Sequence, residues 1–276
     1  MVVLDCGGRP LDLVRPAVMG ILNVTPDSFS DGGEFFDRRS AVARIERMAA
    51  EGAAIVDVGG ESTRPGAKPV SAAEEIDRVI PVIEAAREAV PLPISVDTSK
   101  PEVMRAAVAA GAGFINDVRA LREPGALEAA VEAGVPVCLM HMRGEPRSMQ
   151  AEPRYRDVVA EVLEFLRARR RACIDAGIAA GRILVDPGFG FGKSLDHNLA
   201  LFRDLERFAT LGAPLLVGVS RKSMIGSLLD RPAGERVHGS VAAALMAVIK
   251  GARIVRVHDV APTVDALRIL EAVSHP

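Results

Sequence analysis

An α/β fold, a (β/α)8 TIM barrel preceded by a short β-hairpin, follows from three features of this 276-residue sequence. Eight short apolar runs recur along it, and such runs without polar alternation are strands buried on both faces, as in a parallel sheet. Stretches of helical character separate them, which is the repeated βα unit. Nearly every run also ends in polar or charged residues. AVMGIL stops at Asn23, AAIVDVGG at Glu61-Ser62-Thr63-Arg64, PISV at Asp97, and FI at Asn116-Asp117. VPVCLM stops at His141, ILV at Asp186, LLVGV at Ser220-Arg221-Lys222, and IVRV at His258-Asp259. The strand ends of a parallel barrel open on one face, where such barrels assemble their sites. One enzyme site drawn from eight strand ends is therefore the economical expectation. A doubly wound open sheet is the rival, gathering its ligands at a single switch point. No linker or low-complexity tract divides the sequence, so residues 1–276 are expected to form one domain.

The elements follow in order. VVLDCGGRPLDL reads as two short strands around a Gly-Gly turn. The first barrel strand spans 18–22, and Ser40 is expected to cap a helix that Gly52 ends. The second strand spans 54–58; Ser71 with Glu74 then has the spacing of a capping box. Pro91 and Pro93 close that helix before a strand at 94–96, and Pro101 opens the next helix, which Gly111 ends. Strands at 114–115, 135–140, 183–185, 215–219 and 254–257 complete the barrel. Helices are expected at 126–133, up to Gly177, and at 195–209, 240–250 and 263–273.

Composition narrows the function. A net charge of −2 leaves no electrostatic footprint for nucleic acid or an acidic membrane. Aromatic residues are 4%, with no Trp, so base-stacking platforms are not expected. No apolar run nears the roughly 20 residues that span a bilayer. The N-terminus lacks the pattern of a signal peptide, and Cys6, Cys138 and Cys173 lack metal or redox spacing. A cytoplasmic protein is expected.

Seven motifs stand at the strand ends: MGILNVTPDSFSDGG (19–33), DVGGESTRPGA (57–67), SVDTSK (95–100), INDV (115–118), DPGFGFGK (186–193), SRKSMIG (220–226) and RVHDV (256–260). In kind and order they resemble the dihydropteroate synthase family, over practically the whole chain after the first dozen residues. That resemblance implies condensation of 6-hydroxymethyl-7,8-dihydropterin diphosphate with 4-aminobenzoate, giving 7,8-dihydropteroate and diphosphate in folate synthesis. The sequence departs from the family in its first fifteen residues and at Arg143, where Gln is common.

A pterin presents a 2-amino group and a ring N–H along one edge, a two-donor face suited to a carboxylate. Asp186 and Asp97, with the amide of Asn116, come from strand ends that can converge on such an edge. Buried polar groups left unpaired by a wrong ligand are what discriminate. Taken singly, each acid also reads as a helix cap, as in SVDTSKP. Lys222 is expected to donate to the pterin carbonyl and ring nitrogen; alone it reads as a solvated lysine, or as a Schiff-base lysine. The resemblance adds Met140 to the pterin pocket.

Arg256 and His258, one residue apart, point to one side of the last strand. By resemblance they hold the diphosphate with Asn23 and Thr63, and Asn23 is a ligand of Mg2+. One neutral oxygen with diphosphate oxygens and waters suits that ion. A surface pair of Arg256 with Asp259 and a satisfied His258 is the plain alternative. The loops after the first two strands bear Phe29, Asp31, Thr63, Arg64 and Pro65, rich in small residues as closing loops are. With Phe191 and Ser220 they are expected to form the 4-aminobenzoate pocket, which sulfonamides would share. Asp97, Asp31 and Lys222 are the catalytic candidates, in a dissociative substitution without a covalent enzyme intermediate. DPGFGFGK lacks the spacing of a P-loop, and its glycines read as a tight turn.

A pterin-binding methyltransferase domain is the enzyme rival, having no use for diphosphate-holding residues. A non-catalytic pterin-binding barrel and a Schiff-base aldolase are the others. The resemblance implies a homodimer through the later helices; stretches such as SVAAALMAVI equally suit packing on the barrel.

Overall fold

The computed structural model describes residues 3–24, 38–62, 69–145, 149–150 and 153–274. Strands β1 (Val3–Cys6) and β2 (Arg9–Asp12) pair antiparallel around Gly7 and Gly8. Both glycines lie at positive φ, which a residue with a Cβ resists. The barrel strands are β3 (Ala17–Asn23), β4 (Ile55–Gly59), β5 (Ile94–Asp97), β6 (Phe114–Asp117), β7 (Val137–Met140), β8 (Ile183–Asp186), β9 (Leu215–Val217) and β10 (Ala252–Val257). All are parallel to their neighbours, in chain order, and β10 pairs with β3 to close the ring. The expected barrel and hairpin are both present. The open-sheet rival falls, because closure leaves no edge.

Helices α1 (Arg38–Ala50), α2 (Ala72–Ala89), α3 (Pro101–Ala110), α4 (Ala126–Ala133), α5 (Val158–Asp175), α6 (Leu195–Arg203), α7 (Ser223–Leu229), α8 (Val237–Ile249) and α9 (Val260–Ser274) surround it. Ser71 caps α2 by accepting the Glu74 N–H at 3.2 Å, while the Glu74 carboxylate turns to Arg78, so only half of the expected box forms. Pro101 opens α3 and Gly111, at φ 114°, ends it. Ser40 lies inside α1 rather than capping it. The helix expected over 195–209 stops at Arg203, and Leu205–Leu211 tightens into 3-10 turns. Helix α9 begins before Thr263, with Pro262 in its first turn, where a missing N–H costs nothing.

The hairpin plugs the end of the barrel where the strands begin. Leu4, Cys6, Leu11 and Leu13 are buried against inward residues including Phe114, Leu184 and Ile254. Each such leucine contributes roughly 1.5–3 kcal/mol on burial. Gly113 lets the hairpin approach, since a Cβ there would lie 2.1 Å from the Cys6 carbonyl oxygen. Arg9 pins the hairpin by donating to the carbonyls of Val90 at 2.8 Å and Leu92 at 2.6 Å. Only the opposite end of the barrel remains open for a site.

Candidate active site

Strand register sets the first row of the open mouth. Asn23 pairs with Gly59, Gly59 with Asp97, and Asp97 with Asn116, so four strands bring these residues to one level. Met140 pairs with Asp186 on β7 and β8, two residues beyond Cys138, the partner of Asn116. Gly59 leaves a gap in the row: a Cβ there would sit 3.4 Å from Asp97 Cβ and 3.8 Å from Asn23 Oδ1. Asp97 also borders a cavity of about 540 Å³ that Thr98, Lys100 and Val118 help to line.

One turn of the strand pleat deeper lies Asp57, fully buried. Its Oδ1 accepts from Ser95 Oγ at 2.5 Å, and its Oδ2 from Asn116 Nδ2 at 3.0 Å and Arg256 Nε at 2.6 Å. Arg256 Nη2 donates to Asp97 Oδ2 at 2.7 Å. Two carboxylates on β4 and β5 thus hold the guanidinium of β10 across the barrel. They commit two of its five N–H groups and leave the others to a ligand. Asp57 was not singled out from sequence. The usable signal was an acid within the apolar run AAIVDVGG, at a position whose neighbours two residues away are buried. Burial raises the Asp97 carboxyl, against the pull of the Arg256 guanidinium. Arg256 stays a cation: against its burial, the carboxylates Asp57 and Asp97 hold it protonated.

The capping alternative divides among the acids. Asp117, not Asn116, serves the following loop, accepting from Leu121 N at 2.6 Å and Arg119 N at 2.8 Å. Asp97 caps nothing, since Lys100 stands at the N-cap of α3 without a side-chain bond. Asp186 accepts one turn N–H, from Gly188 at 2.7 Å, and burial raises its carboxyl.

Lys222 follows β9 and extends over the β8 loop. Its ammonium donates to the Phe189 carbonyl and lies 4.3 Å from the Phe191 ring centroid. Burial lowers it to about 8, and nearby Arg256 acts in the same direction against Asp186. It is therefore not the solvated lysine of the plain alternative. Phe191 packs with Val118, Met140, Met142 and Met149 into an apolar wall.

On the other side, Ser220 is buried and its Oγ lies 3.1 Å from His258 Nδ1 while accepting the His258 N–H at 3.2 Å. Asp259 pairs with Arg221, through Nε at 2.9 Å and Nη2 at 2.5 Å, and not with Arg256. The structure thus brings together Asp97, Asn116, Asp186, Lys222 and Arg256, with Met140 and Phe191 beside them and Ser220 and His258 at the rim. Phe29, Asp31, Thr63, Arg64 and Pro65 lie outside the described residues.

A family model for pterin binding enzymes matches residues 19–258. The dihydropteroate synthase of Escherichia coli strain K12 is 57% identical over 265 residues, covering 96% of this chain and 94% of that protein. Among solved structures, Xanthomonas albilineans dihydropteroate synthase with 4-aminobenzoic acid superimposes with a TM-score of 0.95 at 57% identity, over 100% of this chain and 99% of that one. The same enzyme in complex with 7,8-dihydropteroate gives 0.92 at 55% identity, over 99% of each chain.

Proposed function

The chain belongs to the dihydropteroate synthase family of pterin-binding enzymes, and we propose how its own residues carry out that family's reaction. It condenses 6-hydroxymethyl-7,8-dihydropterin diphosphate with 4-aminobenzoate, forming 7,8-dihydropteroate and diphosphate. The observation that carries this reading is the convergence of Asp97, Asn116, Asp186 and Lys222 on one barrel mouth, around an Arg256 held by two acids.

In this reading Asp186 accepts from the donor edge of the pterin, and Asn116, fixed through Nδ2 on Asp57, offers its remaining amide groups. Lys222 leaves the Phe189 carbonyl to donate to the pterin carbonyl and ring nitrogen. Met140 and Phe191 cover the ring's apolar faces. The three uncommitted N–H groups of Arg256, with His258, Asn23 and Thr63, meet the diphosphate. Breaking the C–O bond leaves positive charge on the pterin methylene, delocalised into the ring, with Asp97 and Asp31 to steady it. The leaving charge is stabilised by Arg256 and His258. The neutral amine of 4-aminobenzoate attacks directly, from a pocket of Phe29, Thr63, Arg64, Pro65, Phe191 and Ser220 that sulfonamides would share.

Among the described residues no group of three His, Cys, Asp or Glu forms a cation cage. A single amide oxygen, Asn23 Oδ1, at the mouth therefore suits Mg2+ held mainly by diphosphate oxygens and water. That ion would neutralise leaving-group charge.

Apolar side chains exposed on the later helices, Leu228, Met246 and Ile249 at 55%, 51% and 63%, support a second copy as partner. A monomer by sedimentation at micromolar concentration would remove that proposal. Free, buried Cys6, Cys138 and Cys173 suit a reducing cytoplasm, and among the described residues no helix is long and apolar enough to cross a membrane.

The decisive experiment follows diphosphate release from the pterin diphosphate with Mg2+, with and without 4-aminobenzoate. Release that depends on 4-aminobenzoate and matches dihydropteroate formed is expected. Pterin binding without release would favour a binding module or the methyltransferase reading.

A further inference from the structure

Lys193, the last residue of DPGFGFGK, is 2% exposed, and its hydrogen-bond partners are all neutral. Its Nζ donates to the carbonyls of Gly188 at 2.8 Å and Phe191 at 3.0 Å, and lies 2.9 Å from His141 Nδ1 and 3.3 Å from the His141 carbonyl. Burial holds His141 neutral, its value pushed down to about 2, and lowers the Lys193 amine well below the usual lysine range. The geometry works in either protonation state. An ammonium donates three bonds to these acceptors; a free amine donates two to the loop carbonyls and accepts from Nδ1–H of His141. In both cases one atom ties the β8 loop to itself and to the end of β7.

That loop needs an external tie. Gly188, Gly190 and Gly192 all lie at positive φ, where glycine alone fits without strain, so the shape of its backbone depends on the bonds that hold it. Yet the groups it presents are specific. Its Gly188 N–H meets Asp186, its Phe189 carbonyl receives Lys222, and its Phe191 ring lies beneath the Lys222 ammonium. The carbonyls that Lys193 holds, at 188 and 191, flank the segment that makes these contacts.

We propose that Lys193 is a positioning residue for the pterin half of the site: without touching substrate, it fixes the 188–192 backbone so that Asp186, Lys222 and Phe191 face the pterin together. This rests on the pterin reading above. Arg256 and His258 stand on β10 and at its end, outside this loop, and Lys193 bonds neither of them.

The test is Lys193→Met, which keeps length and removes every N–H. Calorimetry well below the melting temperature compares its affinity with wild type for 6-hydroxymethyl-7,8-dihydropterin and for Mg2+-diphosphate. Pterin affinity should fall about tenfold or more while diphosphate affinity holds within about twofold. A lowered Tm with unchanged pterin affinity, or equal losses for both ligands, would overturn the proposal. Where Lys193→Met does not fold, Lys193→Gln, which retains one donor group, carries the same comparison. If wild type binds neither ligand, the pterin reading itself fails. Hydrogen exchange then decides for Lys193: amides 188–192 exchanging about tenfold faster in the variant support the tie, and unchanged exchange overturns it.

Discussion

The two ends of the barrel are built from opposite materials on the same strands. Ile55 is followed two places on by Asp57, Phe114 by Asn116, Leu184 by Asp186, and Ile254 by Arg256. Residues two apart share a strand face, so each of these four strands passes from apolar plug to polar mouth within one pleat. The first member of every pair packs beneath the hairpin. The second enters the hydrogen-bonded layer around Asp57 or the mouth itself. Stability and chemistry are therefore separated along the barrel axis, except at Asp57 and Arg256, where a buried charge layer belongs to both.

Variants can break or sharpen that separation. Arg256→Met, at the boundary, should cost both properties. It leaves Asp57 and Asp97 facing each other unneutralised, for about 3 kcal/mol of stability, the lower end of the usual loss because the arginine side chain is 19% exposed. Turnover should also fall by about 100-fold or more. Urea unfolding and diphosphate release measure the two, and a stability loss with full turnover would make the charged layer purely structural. Phe114→Ala, at the closed end, should cost about 3–5 kcal/mol while leaving KM per folded molecule unchanged. A changed KM would show that the plug reaches into the mouth.

The smallest effect concerns Lys222, whose value in the folded chain is lowered to about 8 by burial. Its folded value lies below its unfolded one, so between pH 8 and about 10.5 the unfolded chain holds more proton and stability rises with pH. Pterin affinity should fall over the same rise, as the ammonium donor is lost. Lys222→Met should flatten both trends, and a wild-type affinity independent of pH from 7 to 9 would remove the ammonium from pterin binding.

Much of this was legible in the sequence because a parallel barrel writes its strands as apolar runs and its site at their ends. Asp97, Asn116, Asp186 and Lys222 were singled out that way, and the structure brings them to one mouth. Asp57 was hidden because its run continues past it through Val58, Gly59 and Gly60, so it did not mark an end. Lys193 was read as part of a glycine turn, since nothing local shows that a loop lysine will be drawn under its neighbours' carbonyls. Helix α7 went unread for a related reason: Gly226 interrupts its pattern, and its tolerance there depends on Arg236, which packs where a Cβ would stand. What pattern cannot supply is which distant group fills a given space.

The row Asn23, Gly59, Asp97, Asn116 makes the mouth a ruler. Neighbouring strands stand about 4.8 Å apart whatever side chains they bear, so the pitch of this row belongs to the backbone. Substitution can change which group stands at a mark, or blank it as Gly59 does, but cannot move the marks. New ligands for this barrel are therefore to be sought among molecules whose polar groups already keep that spacing, and insertions within these strands would reset the whole scale at once.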